Sequence, residues 1–142
     1  MTMTLDLAEQ LVASAFAAAR KGALKPLSIV VLDVGGHDVV VKRQDGAAFL
    51  RTEVARAKAW GALGLGMDSR ALGVRAEQNP RFYAALAALT GGRVVPNAGG
   101  VLVRTPAGEV IGSLGASGDH ADHDEEVLLE ALRGAGLATA VG

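Results

Sequence analysis

The segment 27–32 is apolar on both faces of the strand that its β-branched residues predict. Successive side chains of a strand point to opposite faces, so Val30 and Leu32 lie on one face and Ile29 and Val31 on the other. A strand of this kind has to be covered from both sides. We therefore predict either a central strand with helices on both faces of its sheet, or a sheet that is covered by another copy of the chain.

Hydrophobic periodicity and turn residues supply the other elements. In chain order they are a helix over 4–20, strands over 27–32 and 39–41, helices over 49–65, 69–77 and 80–89, strands over 101–104 and 110–115, and a helix over about 120–133. The order α-β-β-α-α-α-β-β-α predicts an α+β fold, an antiparallel sheet flanked by helices. We expect residues 1–142 to form a single domain, because this length suffices for one hydrophobic core.

Charge and composition exclude several classes of partner and chemistry. The 14 basic and 15 acidic residues are interspersed, which argues against a nucleic-acid or anionic-membrane partner. The absence of cysteine excludes thiolate chemistry, and no GxGxxG or GxxxxGK[ST] run indicates a nucleotide site. The N-terminus lacks the basic and apolar regions of a leader, and no apolar run is long enough to span a bilayer, so we expect a cytoplasmic protein.

Several short motifs carry a family likeness. They are Val-Leu-Asp-Val-Gly-Gly-His at 31–37, Arg-Gln-Asp-Gly-Ala at 43–47, Lys-Ala at 58–59, Gly-Gly-Val at 99–101, and Gly-Ala-Ser-Gly at 115–118 followed by Asp-Glu-Glu at 124–126. In this order they resemble the GlcG/HbpS-like family, which is also found as the C-terminal domain of PduO-type proteins. The resemblance implies a profilin-like fold, assembly into homo-oligomers and, for several members, the binding of haem or assistance in its degradation.

We accordingly expect a small-ligand-binding homo-oligomer, with haem as the first ligand to test. The predicted pocket combines the first hairpin, the loop 97–100 and the start of the last helix. Its candidate ligand-binding residues are His37, Arg43, Asn97, Gly99, Gly100, Ser117 and Gly118. A histidine can ligate iron, an arginine can hold a carboxylate, and backbone N–H groups before a helix can receive an anion such as a haem propionate. An exposed turn histidine and a tight strand-to-helix turn are the structural alternatives.

A divalent metal is a second cofactor that the sequence allows. His120, His123 and Asp124 are three and four residues apart, so on a helix they share a face that could hold zinc or iron. The alternative is that Asp119 caps this helix while the acidic residues of its first turn interact favourably with the helix dipole.

Two other functions stay open from the sequence. The chain could be an enzyme or accessory subunit of small-molecule metabolism, in which Asp, His or Glu residues transfer protons. It could also be a structural oligomerisation module, since its first strand and its alanine-rich helices offer apolar surface to other copies.

Overall fold

A computed structural model describes residues 1–139, and within that range it contains five helices and four strands. Their bounds are α1 Leu5–Lys21, β1 Ser28–Asp33, β2 Asp38–Arg43, α2 Leu50–Leu65, α3 Ser69–Gln78, α4 Pro80–Leu89, β3 Gly100–Arg104, β4 Val110–Ser117 and α5 Ala121–Gly134. The predicted order and the α+β class are confirmed. The main differences are that β2 is longer at both ends and that β4 continues to Ser117, where it pairs with the first residue of β1.

The four strands form one antiparallel sheet in the order β2-β1-β4-β3. Strand β1 therefore lies in the middle, and its residues from Ser28 to Leu32 are fully buried. The prediction of a central strand covered on both faces is confirmed. The register also fixes the two ends of the sheet, because Ser28 lies opposite both Arg43 and Ser117, whereas Asp33 lies opposite Gly112.

Helices α1 and α5 cover one face of the sheet, and α2 covers the other. Ile29 and Val31 belong to the larger core cluster, which includes the buried faces of α1 and α5. Val30 and Leu32 pack instead with the small residues of α2. The alternating side chains of one strand thus build two separate hydrophobic layers.

Helix α2 lies unusually close to the sheet. A Cβ atom added to Gly115 would lie 1.9 Å from the carbonyl oxygen of Ala55. The Oγ of Ser113 donates a hydrogen bond to the Ala59 carbonyl oxygen at 2.9 Å. The helix can approach the sheet this closely only because the residues on both sides of the contact are small.

Helix α4 has no buried residue, and α3 is the only helix or strand among residues 1–139 that it contacts. Asn79 caps it by accepting from the Phe82 N–H at 3.4 Å, and Pro80 occupies the first turn, where a proline is tolerated. Its Phe82 and Leu89 side chains remain exposed. No helix in the described part of the chain is long and apolar enough to cross a membrane.

Candidate ligand-binding sites

The hairpin cavity, as we call the first candidate site, has a volume of about 450 Å³. It is lined by residues 1–3, by the β1–β2 turn from Asp33 to His37, and by residues 109–111. These segments meet because the end of β1 pairs with the start of β4. The volume is in the range of small-molecule sites.

His37 lies in this cavity and is paired with Asp33. The His37 Nδ1 is 3.2 Å from Asp33 Oδ1, which also accepts the backbone N–H groups of Gly35 at 2.9 Å and of His37 at 3.0 Å. The backbone N–H of His37, above all, holds the pKa of the Asp33 carboxyl below its usual value. An ionised Asp33 favours the tautomer that carries its proton on Nδ1, so the Nε2 lone pair is free to bind a metal.

The His37 side chain is 79% exposed, and apolar residues line the cavity beside it. Met1 is 72% exposed and Val34 is 67% exposed, although both are large hydrophobic residues. Val110 and Ile111 line the same cavity. The site therefore combines exposed apolar surface with one imidazole whose orientation Asp33 sets.

The α3–α5 cavity is the second candidate site, with a volume of about 660 Å³. It is lined by α3 between Arg70 and Glu77, by the loop 96–98, and by residues 120–122. The cavity thus joins two of the three predicted pieces, the loop that contains Asn97 and the start of the last helix. The first hairpin does not reach it.

Acidic groups dominate the α3–α5 cavity. The Arg70 Nε donates to both carboxylate oxygens of Glu125, at 3.0 and 3.1 Å, and its Nη2 donates to Asp122. Arg70 is thereby neutralised, while Glu77 adds another carboxylate to the lining. Sequence reasoning did not find Arg70, because its partners lie on a distant helix. This cavity is poorly suited to an anionic ligand.

The predicted glycines 99 and 100 lie behind this cavity and do not line it. Gly99 has φ +119°, and an added Cβ would lie 2.7 Å from the Lys58 Nζ and 2.9 Å from the Ala116 carbonyl oxygen. A Cβ on Gly100 would lie 2.3 Å from the Lys58 carbonyl oxygen. The physical role of both glycines is to let the loop pack against α2.

Ser117 and Gly118 form a tight strand-to-helix turn. Ser117 is buried, and its Oγ accepts from Arg51 at 3.3 Å. The backbone N–H groups that were predicted to receive an external anion are directed at a carboxylate of the chain itself. Asp124 accepts from the N–H of Asp119 at 3.0 Å and also from the N–H of Gly118.

Asp124 is buried and forms a pair with Lys58 that sequence reasoning missed. The Lys58 Nζ is 3.7 Å from Asp124 Oδ2 and donates to the Ala116 carbonyl oxygen at 3.1 Å. Burial raises the pKa of the Asp124 carboxyl, whereas burial lowers the pKa of the Lys58 amine. Both residues lie in the family-like motifs, but nothing in their spacing indicated that they would meet.

The predicted site of His120, His123 and Asp124 is not assembled. Asp124 points inward, whereas both imidazoles are on the surface with ring centroids 5.7 Å apart. Over residues 1–139, no group of three or more His, Asp or Glu side chains is placed to hold a metal ion. His120 is the N-cap residue in place of Asp119, and its Nδ1 accepts from the Asp122 N–H at 3.3 Å.

His123 forms a second histidine–aspartate pair outside the hairpin cavity. Its Nδ1 is 2.7 Å from Asp119 Oδ1. The backbone N–H of Lys25, followed by that of His120, holds the pKa of Asp119 well below its usual range. This pair resembles the one at His37 in chemistry, but His123 lines neither of the two cavities.

The structure distributes the predicted ligand residues over separate parts of the sheet. His37 is at one end of the sheet and Ser117 at the other, separated by the length of β1, about 17 Å at the usual rise per residue. Arg43 ends the edge strand β2, while Gly100 begins the opposite edge strand, β3. The single pocket expected from the sequence is therefore not formed within one copy of the chain.

Comparisons with known proteins show which family model and which solved structures this chain is similar to. The family model described as haem-degrading protein HbpS-like matches residues 3–133. The crystal structure of HbpS is 26% identical, with a TM-score of 0.80, and the alignment covers 94% of this chain and 89% of that one. The ORFY protein of Klebsiella pneumoniae is 26% identical, with a TM-score of 0.85 and coverage of 94% and 90%.

A structure described as a PduOC:heme complex is also similar, with a TM-score of 0.88, 24% identity, and coverage of 98% of this chain and 99% of that one. At this identity the likeness shows the fold alone. No curated protein matches the sequence.

Proposed function

The chain belongs to the HbpS-like family of haem-degrading proteins, and from this premise we propose that it binds haem in the hairpin cavity, with His37 as an iron ligand. The observation that carries the proposal is the His37–Asp33 pair, which leaves one imidazole nitrogen free and accessible beside the apolar residues of the cavity. Both residues belong to the motif 31–37 that carries the family likeness.

The residues of the hairpin cavity fit haem in two respects. Apolar groups, of which Val34 and Met1 are the most exposed, can cover the faces of the macrocycle. The carboxylate behind His37 accepts a hydrogen bond from Nδ1 and orients the ring, as second-shell carboxylates do at metal sites. The bound haem would supply the iron chemistry, while this chain binds it, orients it and limits the access of water.

The α3–α5 cavity is larger but less suitable for haem. Two carboxylates line each cavity, Glu77 and Asp122 here and Asp33 and Glu109 in the hairpin cavity, so the charge of the haem propionates does not separate the two sites and the histidines decide. The N-cap role of His120 occupies its Nδ1 as an acceptor, so the proton resides on Nε2, where a metal would bind. We therefore propose the hairpin cavity in preference to the predicted pocket near the last helix.

The proposal includes self-association through α4. This helix has ten residues and buries none of them within one chain. An isolated helix of that length is marginally stable in water. Leu89 is 82% exposed and Phe82 is 49% exposed, and a second copy of the same face would cover both.

The test is an absorbance titration of the purified protein with haemin. We expect a saturable, shifted Soret band for the wild type, and a loss or a change of that band in His37→Ala. His123→Ala is the matched control, because it removes an exposed imidazole from a histidine–aspartate pair outside the cavity. A band that is lost in His123→Ala and kept in His37→Ala would overturn the assignment, and no saturable shift in the wild type would overturn the function.

A further inference from the structure

A third cleft lies beside Trp60. Its residues are not part of the haem proposal, except that Gly36 belongs to the same turn as His37. It has a volume of about 350 Å³ and is formed by Gly36, by α2 between Glu53 and Trp60, and by the loop 91–93. We call it the Trp60 cleft. We infer that this cleft binds a small organic carboxylate and that Arg93 receives the carboxylate group.

Arg93 is placed to accept an anion. Its guanidinium carbon lies 4.3 Å from the centroid of the Trp60 ring, and its Nε donates to the Thr90 carbonyl oxygen at 2.8 Å. Among residues 1–139 it forms no salt bridge. Stacking on the indole uses the face of the guanidinium and leaves the outer N–H groups for a carboxylate.

The other arginine of the cleft, Arg56, is already paired with two carboxylates of the chain. Arg56 donates to both carboxylate oxygens of Asp38, at 3.0 and 3.1 Å, and to Glu53 at 2.8 Å. Asp38 and Glu53 share the single charge of Arg56, so this cluster of three side chains keeps one negative charge. Arg93 is thus the arginine of the cleft without a direct ion-pair partner among residues 1–139, which matches a ligand with a single carboxylate.

Backbone geometry holds this arrangement in place. Gly91 and Gly92 adopt φ values of +67° and +80°, and added Cβ atoms there would meet nothing within 4 Å. Glycine is thus required for the left-handed turn that returns the chain toward Trp60. A Cβ on Gly36 would lie 3.3 Å from the indole edge, so the hairpin turn fixes the ring. The contacts of Arg93 with the indole and with the Thr90 carbonyl oxygen restrict its side chain before a ligand binds, which lowers the entropy cost of binding an anion.

The size and lining of the cleft restrict the ligand class. The volume is near the lower end of the range for small-molecule sites. Ala57 and the indole supply apolar contact for the body of the ligand, while Arg93 supplies the charge complement. Benzoate is a suitable probe, and benzamide is its neutral counterpart of nearly equal shape.

Trp60 is the only tryptophan of the chain, so its fluorescence reports directly on the cleft. We expect benzoate to change this emission saturably at constant ionic strength, and benzamide to bind at least about tenfold more weakly. Arg93→Gln should weaken benzoate binding by about tenfold or more, with Arg93→Lys between it and the wild type. Arg133→Gln is the matched control, because it removes an exposed arginine that pairs with Glu126 on α5.

Isothermal titration calorimetry measures the same affinities without fluorescence. A variant that changes Trp60 emission directly can thus be told apart from one that changes binding. Equal binding of benzoate and benzamide, unchanged affinity in Arg93→Gln, or no saturable response in the wild type would each overturn the inference. The test is separable from the haem proposal, because His37→Ala should keep benzoate binding and Arg93→Gln should keep haemin binding.

Discussion

Replacing Lys58 with methionine tests the buried pair that joins α2 to the start of α5. Methionine keeps most of the side-chain volume but removes the amine, which lies 3.7 Å from Asp124 and 3.1 Å from the Ala116 carbonyl oxygen. Loss of one partner of a buried ion pair costs about 3 to 5 kcal/mol. Asp124 keeps the backbone N–H groups of Gly118 and Asp119. We therefore expect the free energy of unfolding to decrease by about 3 kcal/mol at pH 7, the lower limit of that range.

The pH dependence of that loss has a definite sign. Burial raises the pKa of Asp124 above its ordinary value of 3.8, so above that pH the native state binds more protons than the unfolded state, and stability decreases as pH rises through the folded pKa. Without the Lys58 charge, the pKa of Asp124 rises further. The deficit of Lys58→Met should therefore shrink as the pH is lowered from 7 toward 4.

In the wild type, Lys58 itself changes the pH dependence of stability in the opposite direction to Asp124. Its pKa is lowered from 10.5, so between the folded pKa and 10.5 the unfolded state binds more protons, and stability increases with pH. The pH series consequently compares the variant with the wild type only below pH 7, where the titration of Lys58 affects stability least.

Urea unfolding, followed by circular dichroism, measures these free energies. The double variant Lys58→Met/Asp124→Asn should be less destabilised than the sum of the two single variants, by about 1 to 3 kcal/mol, because contacting residues are coupled. A Lys58→Met protein within 1 kcal/mol of the wild type at pH 7, or a deficit that does not change with pH, would refute the reasoning.

Two further predictions concern the glycine loop and α4. Gly99→Ala should destabilise the fold by about 2 kcal/mol or more, because φ is +119° and the new methyl would meet Lys58 and the Ala116 backbone. Gly64→Ala, on an exposed helical site with nothing within 4 Å of its Cβ, should instead be neutral or stabilising by up to about 1 kcal/mol, and equal thermal stabilities of the two variants would contradict this. Leu89→Lys should shift the protein to smaller species in sedimentation velocity without changing its circular dichroism. An unchanged distribution would show that α4 is not the interface.

The fold could be predicted from the sequence to a large extent, because its elements obey simple periodicities. The two-sided apolar run 27–32 became the buried central strand, and the recurring apolar residues of 4–20 became α1. The many alanines and glycines could not be interpreted from composition alone. The structure explains part of them, since α2 packs directly on Gly115 through Ala55 and Ala59.

Single residues of the candidate sites could be predicted from the sequence, but their pairings could not. His37 was named from the sequence, whereas its pairing with Asp33 became visible only in the structure, although both residues lie in one turn. The contact of Arg93 with Trp60, in contrast, depends on how distant elements pack. The inward orientation of Asp124 had no sequence signal either, because acidic residues in the first turn of a helix are equally common on its exposed side.

The most direct test of the haem proposal is the rescue of His37→Ala by free imidazole during haemin titration. If the His37 imidazole ligates the iron, the variant should lose the wild-type Soret band, and added imidazole should restore it, while His123→Ala should keep the wild-type spectrum throughout. A His37→Ala protein that binds haemin with the wild-type spectrum and affinity, and does not respond to imidazole, would contradict the proposal.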